Sequence, residues 1–326
     1  MSGENAVEAR SLTRRFGAVR AVEEVDLTVC NGEIYGFLGP NGAGKTTVVR
    51  MLTTLLLPTS GSALVAGHDI ANEPTAVRLR IGAALQEAAL DDRQTGRELL
   101  NLQARLYGLN REVTRQRINF LEGLVDIGEA IDRQIGTYSG GMKRRLDLAA
   151  ALIHDPQILF LDEPTAGLDP ISRVKIWDEI RRVNREDGAT IFLTTQYLEE
   201  ADHLADRVGI IDQGRIVVEG SPSELKRSVG SDVVVIRVAG EMSSAVDACE
   251  QIPGVESVEV HGDEMTLSVD EGSRAVGSVA IALNRSGTAA EEIILRTATL
   301  DDVFLHYTGT RLAVEANVTK GEDSWQ

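Results

Sequence analysis

The sequence predicts an α/β protein with a mostly parallel main sheet, a mostly helical insertion in that domain, and a small α+β domain after it. Three observations predict this organisation. Strand-like apolar runs alternate with helical segments over the first 230 residues, residues 87–150 show helical patterns with little strand between them, and the balance of charge changes near residue 230.

The strands predicted for the first region are short apolar runs, as expected for strands that are buried on both faces of a parallel sheet. They cover residues 34–38, 157–161, 190–194 and 208–211. One helix is predicted over 46–56, and helices in the insertion are predicted over 101–107 and 115–125. A further helix is indicated by an apolar stripe at every third position: Ile171, Val174, Trp177, Ile180 and Val183.

The second region has a different order of elements. Strands are predicted over 233–238, 255–260, 264–269 and 291–296, and helices over 243–251, 274–284 and 300–307. The order is βαββαβ followed by a helix, which predicts a ferredoxin-like domain.

The boundary between the regions is marked by a helix signal and by charge. Ser221, Pro222 and Glu224 form a capping-box pattern, and we place the linker after it, at 226–231. From residue 231 onward, 17 acidic residues stand against 6 basic ones. The predicted domains are therefore 1–228 and 229–312, with a polar tail at 313–326.

Composition excludes several classes of protein. The 326 residues carry a net charge of −17, which disfavours binding along nucleic acid. The longest apolar runs fall short of the roughly 20 residues that a membrane-spanning helix needs. The two cysteines, Cys30 and Cys249, are too far apart in the sequence to indicate a disulfide framework or a zinc site, so we expect a reducing, cytoplasmic setting.

A glycine-rich motif follows the first predicted parallel strand and precedes a helix. It fits the pattern G-x-x-x-x-G-K-[ST], in which backbone N–H groups and a lysine hold phosphates and a hydroxyl ligates Mg²⁺. The alternative is a glycine-rich turn with a chance lysine, which the flanking elements disfavour. The candidate phosphate-binding residues are Gly39, Pro40, Asn41, Gly42, Ala43, Gly44, Lys45, Thr46 and Thr47.

Two acids follow the buried strand at 157–161. Asp162 is a candidate Mg²⁺ ligand together with Thr46, and Glu163 is a candidate general base for an attacking water. The alternative is a pair of helix-capping acids before Pro164.

Further motifs carry a family resemblance. Tyr138-Ser-Gly-Gly-Met142 resembles the signature of ABC-type ATPases, and Gln86, the acids at 162–163 and Ala166-Gly-Leu-Asp169 stand in the order typical of that family over residues 5–225. The segments 194–202 and 300–304 resemble the ATP-binding subunits of daunorubicin/doxorubicin-resistance exporters. The resemblance therefore implies a P-loop ABC-type nucleotide-binding domain.

The resemblance implies roles for single residues. Phe16 matches the aromatic residue that stacks on adenine, although a core phenylalanine is the alternative. Gln86 matches the residue that contacts Mg²⁺ and senses the membrane partner. Ser139, Gly140 and Gly141 match the loop that binds the γ-phosphate held by another subunit, and Asp169 matches the residue that crosses between the two sites. Two copies facing each other are thus implied, with two ATP molecules between them.

Gln196 stands where most family members have a histidine. Its amide is able to hydrogen-bond a phosphate oxygen or the water, but it cannot become cationic near neutral pH. We therefore expect slow hydrolysis that depends on Glu163. Tyr138 and Met142 also depart from the common signature, but its Ser-Gly-Gly core is intact.

The function implied is that of the ATP-binding and hydrolysing subunit of an exporter, with ATP and Mg²⁺ as cofactors, bound to the cytoplasmic face of the membrane. A separate membrane subunit would dock in a groove at 86–107, where Leu90, Leu99, Leu100, Leu102, Leu106 and Tyr107 are either docking residues or internal core. The alternative function is a regulatory or non-transport ABC ATPase with very slow turnover. The acidic C-terminal domain is either a structural lid of the dimer or a module for regulation or partner recruitment.

Overall fold

The computed structural model describes residues 5–85, 90–125, 128–230, 232–239, 242–262, 264–270 and 272–310. The chain divides after Pro222, and the second compact unit spans 223–310. The strands of the first unit are β1 (Asn5–Phe16), β2 (Val19–Cys30), β3 (Ile34–Leu38), β4 (Ser60–Val65), β5 (His68–Asp69), β6 (Ile81–Ala84), β7 (Ile158–Asp162), β8 (Thr190–Thr195), β9 (Arg207–Asp212) and β10 (Arg215–Gly220). Its helices are α1 (Lys45–Leu52), α2 (Pro74–Arg78), α3 (Gly96–Leu106), α4 (Arg111–Leu124), α5 (Gly140–Leu152), α6 (Pro170–Asp187) and α7 (Leu198–Leu204).

The main sheet has the order β10-β9-β3-β8-β7-β6, and its strands are parallel except for β10. This confirms the α/β prediction. In the register, Leu38 lies opposite Thr195 and Asp162 lies opposite Thr194. The carboxyl ends of β3, β7 and β8 therefore meet at one edge, where ligands bind in sheets of this kind.

A second sheet, with the order β2-β1-β4-β5, was not predicted. Its strands pair in antiparallel fashion, and along β2 buried residues alternate with exposed ones from Val25 to Cys30. Because polar and charged residues interrupt the apolar ones in β1 and β2, the continuous apolar signal of the parallel strands is missing here.

The helical insertion contains α3, α4 and α5 between β6 and β7. The helix predicted at 101–107 begins earlier, at Gly96, because Thr95 and Glu98 form a reciprocal capping box. Asn110 caps α4 through a single hydrogen bond, with its side chain accepting from Val113 N. Conversely, the helix predicted at 46–56 ends at Leu52, and Thr54 adopts a left-handed conformation two residues later.

The second unit contains α8 (Pro222–Val229), β11 (Asp232–Ala239), α9 (Met242–Glu250), β12 (Val255–His261), β13 (Glu264–Val269), α10 (Gly272–Arg285), β14 (Ala289–Arg296) and α11 (Leu300–Thr308). Its antiparallel sheet has the order β12-β13-β11-β14, which confirms the ferredoxin-like prediction. The core includes Val234, Ile236, Leu267 and Val279, which are fully buried. The domain limits at 228 and 312 stay a prediction, and the predicted tail lies outside the described residues.

Within the described parts of the chain, every helix is too short or too polar to cross a bilayer.

Candidate nucleotide-binding and catalytic site

The glycine-rich loop joins β3 to α1 and curls around a cavity of about 320 Å³. Gly44 has φ 109°, and a Cβ on it would lie 2.5 Å from the carbonyl oxygen of Ala21. A Cβ on Gly39 would lie 2.3 Å from the carbonyl oxygen of Ile211. Only glycine fits at these two positions, so the path of the loop requires both. The cavity lies at the N-terminus of α1, where N–H groups and the helix dipole favour phosphate.

Lys45 is buried at the base of this cavity, with 4% of its side chain exposed. Its Nζ donates to the carbonyl oxygens of Gly39 and Pro40 at 2.7 and 3.1 Å, and lies 3.3 Å from Oε1 of Glu163. Burial lowers the pKa of the Lys45 ammonium, while Glu163 and Asp162 oppose that shift. Lys45 is thus the loop residue whose side-chain nitrogen lies at the cavity, next to the carboxylate of Glu163.

Asp162 ends β7 and faces the first turn of α1. Its Oδ1 accepts from Thr46 Oγ1 at 3.2 Å and from Thr194 Oγ1. Its Oδ2 is buried and has no hydrogen-bond partner among the described residues. A hard cation such as Mg²⁺ prefers carboxylate and hydroxyl oxygens, so Asp162 and Thr46 fit such an ion.

A complete metal cage of protein ligands is absent from the described residues. This agrees with magnesium in phosphoryl-transfer sites, where one or two protein oxygens act together with phosphate oxygens and waters.

Glu163 adopts φ 49°, a left-handed conformation that is uncommon for glutamate. Its backbone N–H donates to Thr194 Oγ1 at 3.0 Å. Glu163 as a whole exposes 9% of its surface to solvent. Strained backbone of this kind is concentrated at functional sites. The conformation aims the carboxylate at the cavity of the glycine-rich loop, which it helps to line.

Of the remaining predicted residues, one is half-buried next to the site, one is exposed, and one lies outside the described ranges. Gln196 follows β8 directly and is half-buried, next to the edge that carries Asp162. Phe16 ends β1 and is 48% exposed beneath the guanidinium of Arg14, so it is not a core residue. Gln86 lies outside the described residues. The adenine contact of Phe16 and the role of Gln86 stay predictions.

The signature residues lie apart from the phosphate loop. Ser139 caps α5 by accepting from Met142 N, and Gly140 and Gly141 form the first turn. A cavity of about 160 Å³ opens beside them, lined also by Ser172 and Lys175. None of the signature residues lines the cavity at Lys45. In one chain the signature residues and the phosphate loop therefore line two separate cavities.

Asp169 and Tyr138 lie beside the signature residues. Asp169 caps α6, accepting from Ser172 N at 3.0 Å and Ser172 Oγ at 2.6 Å, and these hydrogen bonds lower the pKa of its carboxyl. Tyr138, which replaces the usual leucine, is 7% exposed and donates its hydroxyl to the carbonyl oxygen of Ala130. The substitution anchors the signature loop and leaves its Ser-Gly-Gly core in place.

Sequence reasoning missed two residues that organise the site. Thr194 hydrogen-bonds both Asp162 and the backbone of Glu163, and Arg144 donates to the carbonyl oxygens of Asp162 and Pro164. Thr194 stands in a run of strand residues, and the partners of Arg144 are backbone atoms. The order of residue types along the sequence therefore does not predict the role of Thr194 or that of Arg144.

Comparison with known proteins gives matches along most of the chain. The family model described as "ABC transporter" matches residues 22–166, and the one described as "ATP-binding protein DrrA1-3-like, C-terminal domain" matches residues 220–308. The daunorubicin resistance ATP-binding protein DrrA3 of Streptomyces coeruleorubidus is 46% identical over 94% of this chain and 96% of its own length. The daunorubicin/doxorubicin resistance ATP-binding protein DrrA of Streptomyces peucetius is 43% identical over 93% and 92%.

One solved structure is a dimeric ATP-binding cassette in a post-hydrolysis state with ADP and Pi. It is 26% identical, with a TM-score of 0.59, over 66% of this chain and 98% of its own.

Proposed function

The chain belongs to the family of ABC transporter ATP-binding proteins, in the group of the daunorubicin and doxorubicin resistance ATP-binding proteins, and from this premise we propose that it powers export of a hydrophobic drug, antibiotic or lipid. Its enzymatic class is the ABC-type ATPase. Export would proceed through a separate membrane subunit, with this chain bound to the cytoplasmic face of the membrane.

The observation that carries the catalytic part of the proposal is the ion pair of Lys45 and Glu163 across the phosphate cavity. Lys45 binds the β- and γ-phosphates, and Glu163 accepts a proton from the attacking water. Thr46 and Asp162 would hold a magnesium ion, and the family resemblance adds Gln86 as a third candidate ligand. When bound, that ion neutralises negative charge on the phosphates.

Gln196 orients the water or a γ-phosphate oxygen through its amide. Since the amide of Gln196 cannot take up a proton near neutral pH, Glu163 is the residue that accepts the proton of the water. An uncharged residue at position 196 favours slow ATP turnover. It also supports a second candidate function, that of a regulatory ABC ATPase that binds ATP and hydrolyses it negligibly.

A homodimer would complete the site. Ser139, Gly140, Gly141 and Asp169 lie on a half-site separate from the phosphate loop, so each ATP would be bound between the loop of one chain and the signature of another. The similar dimeric cassette supports this arrangement. The acidic second unit would serve as a lid of the dimer or as a regulatory module.

A groove of about 270 Å³ is the candidate dock for the membrane subunit, and Leu55, Gln103, Tyr107 and Asp147 are among its lining residues. Of the leucines predicted to dock or pack, Leu99 and Leu100 are buried in the core, whereas Leu102 and Leu106 are 43% and 71% exposed. Leu102 and Leu106 do not line this groove; they are exposed on α3 next in sequence to its lining residues Gln103 and Tyr107, and we propose that they add to the dock.

The test is Mg-ATP hydrolysis by the purified chain over a range of protein concentrations, with Glu163→Gln as the variant. A rate per chain that rises with concentration and disappears in the variant supports the two-fold site. Nucleotide binding without turnover, even with a co-expressed membrane subunit, favours the regulatory candidate. Co-purification with a polytopic membrane protein tests the transport role.

A further inference from the structure

Arg144, in the second turn of α5, connects three parts of the site through one guanidinium. Its Nη1 donates to the carbonyl oxygen of Leu85 at 2.9 Å, and its Nε donates to that of Pro164 at 3.0 Å. Its Nη2 donates to the carbonyl oxygen of Asp162 at 3.1 Å. The signature helix is thereby joined to the end of β6 and to the loop after β7.

Two of these carbonyl groups belong to the residues on either side of Glu163. The left-handed conformation of Glu163 is therefore held from two directions, by Arg144 at its flanking carbonyls and by Thr194 at its N–H. A planar guanidinium supplies donors in fixed directions, whereas a lysine ammonium is a compact charge on a flexible stem. Arg144 is suited to this task in a way that lysine is not.

The guanidinium is almost fully enclosed. Its side chain is 12% exposed, and that of its ion-pair partner Asp147, at 3.0 Å, is 15% exposed. Burial lowers the pKa of Arg144 and raises the pKa of the Asp147 carboxyl to about 6. A buried charged pair of this kind costs desolvation energy, and removing one member leaves the other uncompensated.

Asp147 also lines the groove proposed for the membrane subunit, beside Gln103 and Tyr107. The groove and the catalytic glutamate are thus connected by a short series of contacts, from Asp147 to Arg144 and from Arg144 to the backbone around Glu163.

We propose that Arg144 is a positioning residue that sets the carboxylate of Glu163, and that Asp147 holds Arg144 from the side of the docking groove. The inference rests on the proposed ATPase site. It assigns no contact between Arg144 and the nucleotide.

The first experiment measures kcat and KM for Mg-ATP in wild type, Arg144→Lys and Asp147→Asn. Misplacement of a reacting group by about 1 Å costs up to about 100-fold in rate, so we expect kcat of Arg144→Lys to fall about 10- to 100-fold with KM within about twofold. Asp147→Asn should lower kcat by a smaller factor. The matched control is Arg117→Lys, since Arg117 is 17% exposed and donates to a backbone carbonyl, that of Leu152, away from the site.

The second experiment places Arg144→Lys in the Glu163→Gln background. If Arg144 acts through Glu163, the double variant hydrolyses ATP at the rate of Glu163→Gln alone. Additive losses, a KM that rises with the fall in kcat, or wild-type kcat in folded Arg144→Lys or Asp147→Asn would overturn the inference. If wild type and Glu163→Gln hydrolyse ATP at equal rates, the proposed ATPase site itself is wrong. That result is distinguishable from failure of the Arg144 proposal, in which Glu163→Gln still lowers the rate.

Discussion

The ammonium of Lys45 and the carboxylate of Glu163 lie 3.3 Å apart, and both side chains are more than nine-tenths buried. One residue belongs to the phosphate loop and the other follows β7, so the fold of the main sheet brings them together. Because each charge is desolvated, each depends on the other for stability. The pair spans the space where a γ-phosphate and an attacking water would meet.

The first prediction concerns Glu163→Gln. The amide oxygen still accepts from Lys45, so ATP affinity should stay within about threefold, while hydrolysis should fall at least about 100-fold because the general base is lost. Single-turnover hydrolysis and equilibrium binding of a fluorescent ATP analogue measure the two effects. Glu219→Gln, which alters an acid paired with Arg207 instead, is the control and should match wild type. Equal turnover in Glu163→Gln and wild type would remove Glu163 from the mechanism.

The second prediction concerns the magnesium ligands. Asp162→Asn keeps an oxygen acceptor for Thr46 and Thr194 but loses the charge that would face the cation. We expect the Mg²⁺ concentration for half-maximal hydrolysis to rise about tenfold, and EDTA to abolish hydrolysis in both proteins. Magnesium titrations at fixed ATP measure this. An unchanged magnesium requirement would show that Asp162 is not a ligand.

The sequence predicts those parts of the fold and site that are encoded locally. Strands β3, β7, β8 and β9 are continuous apolar runs, and the glycine-rich loop is a contiguous motif whose glycines the backbone geometry requires. The antiparallel strands β1 and β2 were missed because polar and charged residues interrupt their apolar residues, which weakens the strand signal.

The tertiary hydrogen bonds around the acids could not be predicted in the same way. Arg144 donates to the carbonyl oxygens of residues 85 and 164, which are distant in sequence and which every residue type possesses. The left-handed conformation of Glu163 likewise depends on its hydrogen bond to Thr194. The pairing of β7 with β8 brings these two residues together.

The third prediction concerns Gln196. Replacing it with histidine supplies a group that gains a proton near pH 6.5, so we expect kcat to rise severalfold and to acquire a pH dependence in that range. Gln196→Ala should lower kcat because it removes the positioning amide. The pH–rate profiles of the three proteins measure both effects. A wild-type rate in Gln196→Ala would exclude Gln196 from the reaction.

The fourth prediction separates nucleotide binding from dimer formation. Gly141→Asp adds a carboxylate in the first turn of α5, where the helix tolerates negative charge and the new Cβ has ordinary contact with Ser172. The same charge would repel a γ-phosphate bound by another chain. In the Glu163→Gln background we expect ATP binding to persist and ATP-dependent dimerisation to be lost.

Sedimentation velocity with and without Mg-ATP tests this prediction, with Gly123→Asp on α4 as the matched glycine substitution. Dimerisation that survives Gly141→Asp would place the signature outside the interface.

The last prediction concerns acid stability and His154, whose ring stacks on Tyr107 at 3.7 Å between centroids. Its Nε2–H donates to the carbonyl oxygen of Ile81 at 2.9 Å, and its buried Nδ1 has no hydrogen-bond partner among the described residues. Burial lowers the pKa of this imidazole and Arg117 acts in the same direction, while the hydrogen bond to Ile81 and the charge of Asp155 oppose the shift without cancelling it.

The unfolded chain therefore binds a proton at His154 more readily than the folded one. The free energy of unfolding therefore includes a contribution from neutral His154 that is fully present above the unfolded pKa of about 6.5. That contribution is lost as the pH falls from this value through the lower pKa of the folded chain. A difference of one pH unit between the two pKa values corresponds to about 1.4 kcal/mol. His154→Gln keeps a donor for Ile81 but cannot titrate. Urea unfolding at pH 7.5 and 5.5 should show a larger acid-induced loss in wild type than in His154→Gln, and equal losses would mean that His154 is protonated as easily in the folded chain as in the unfolded one.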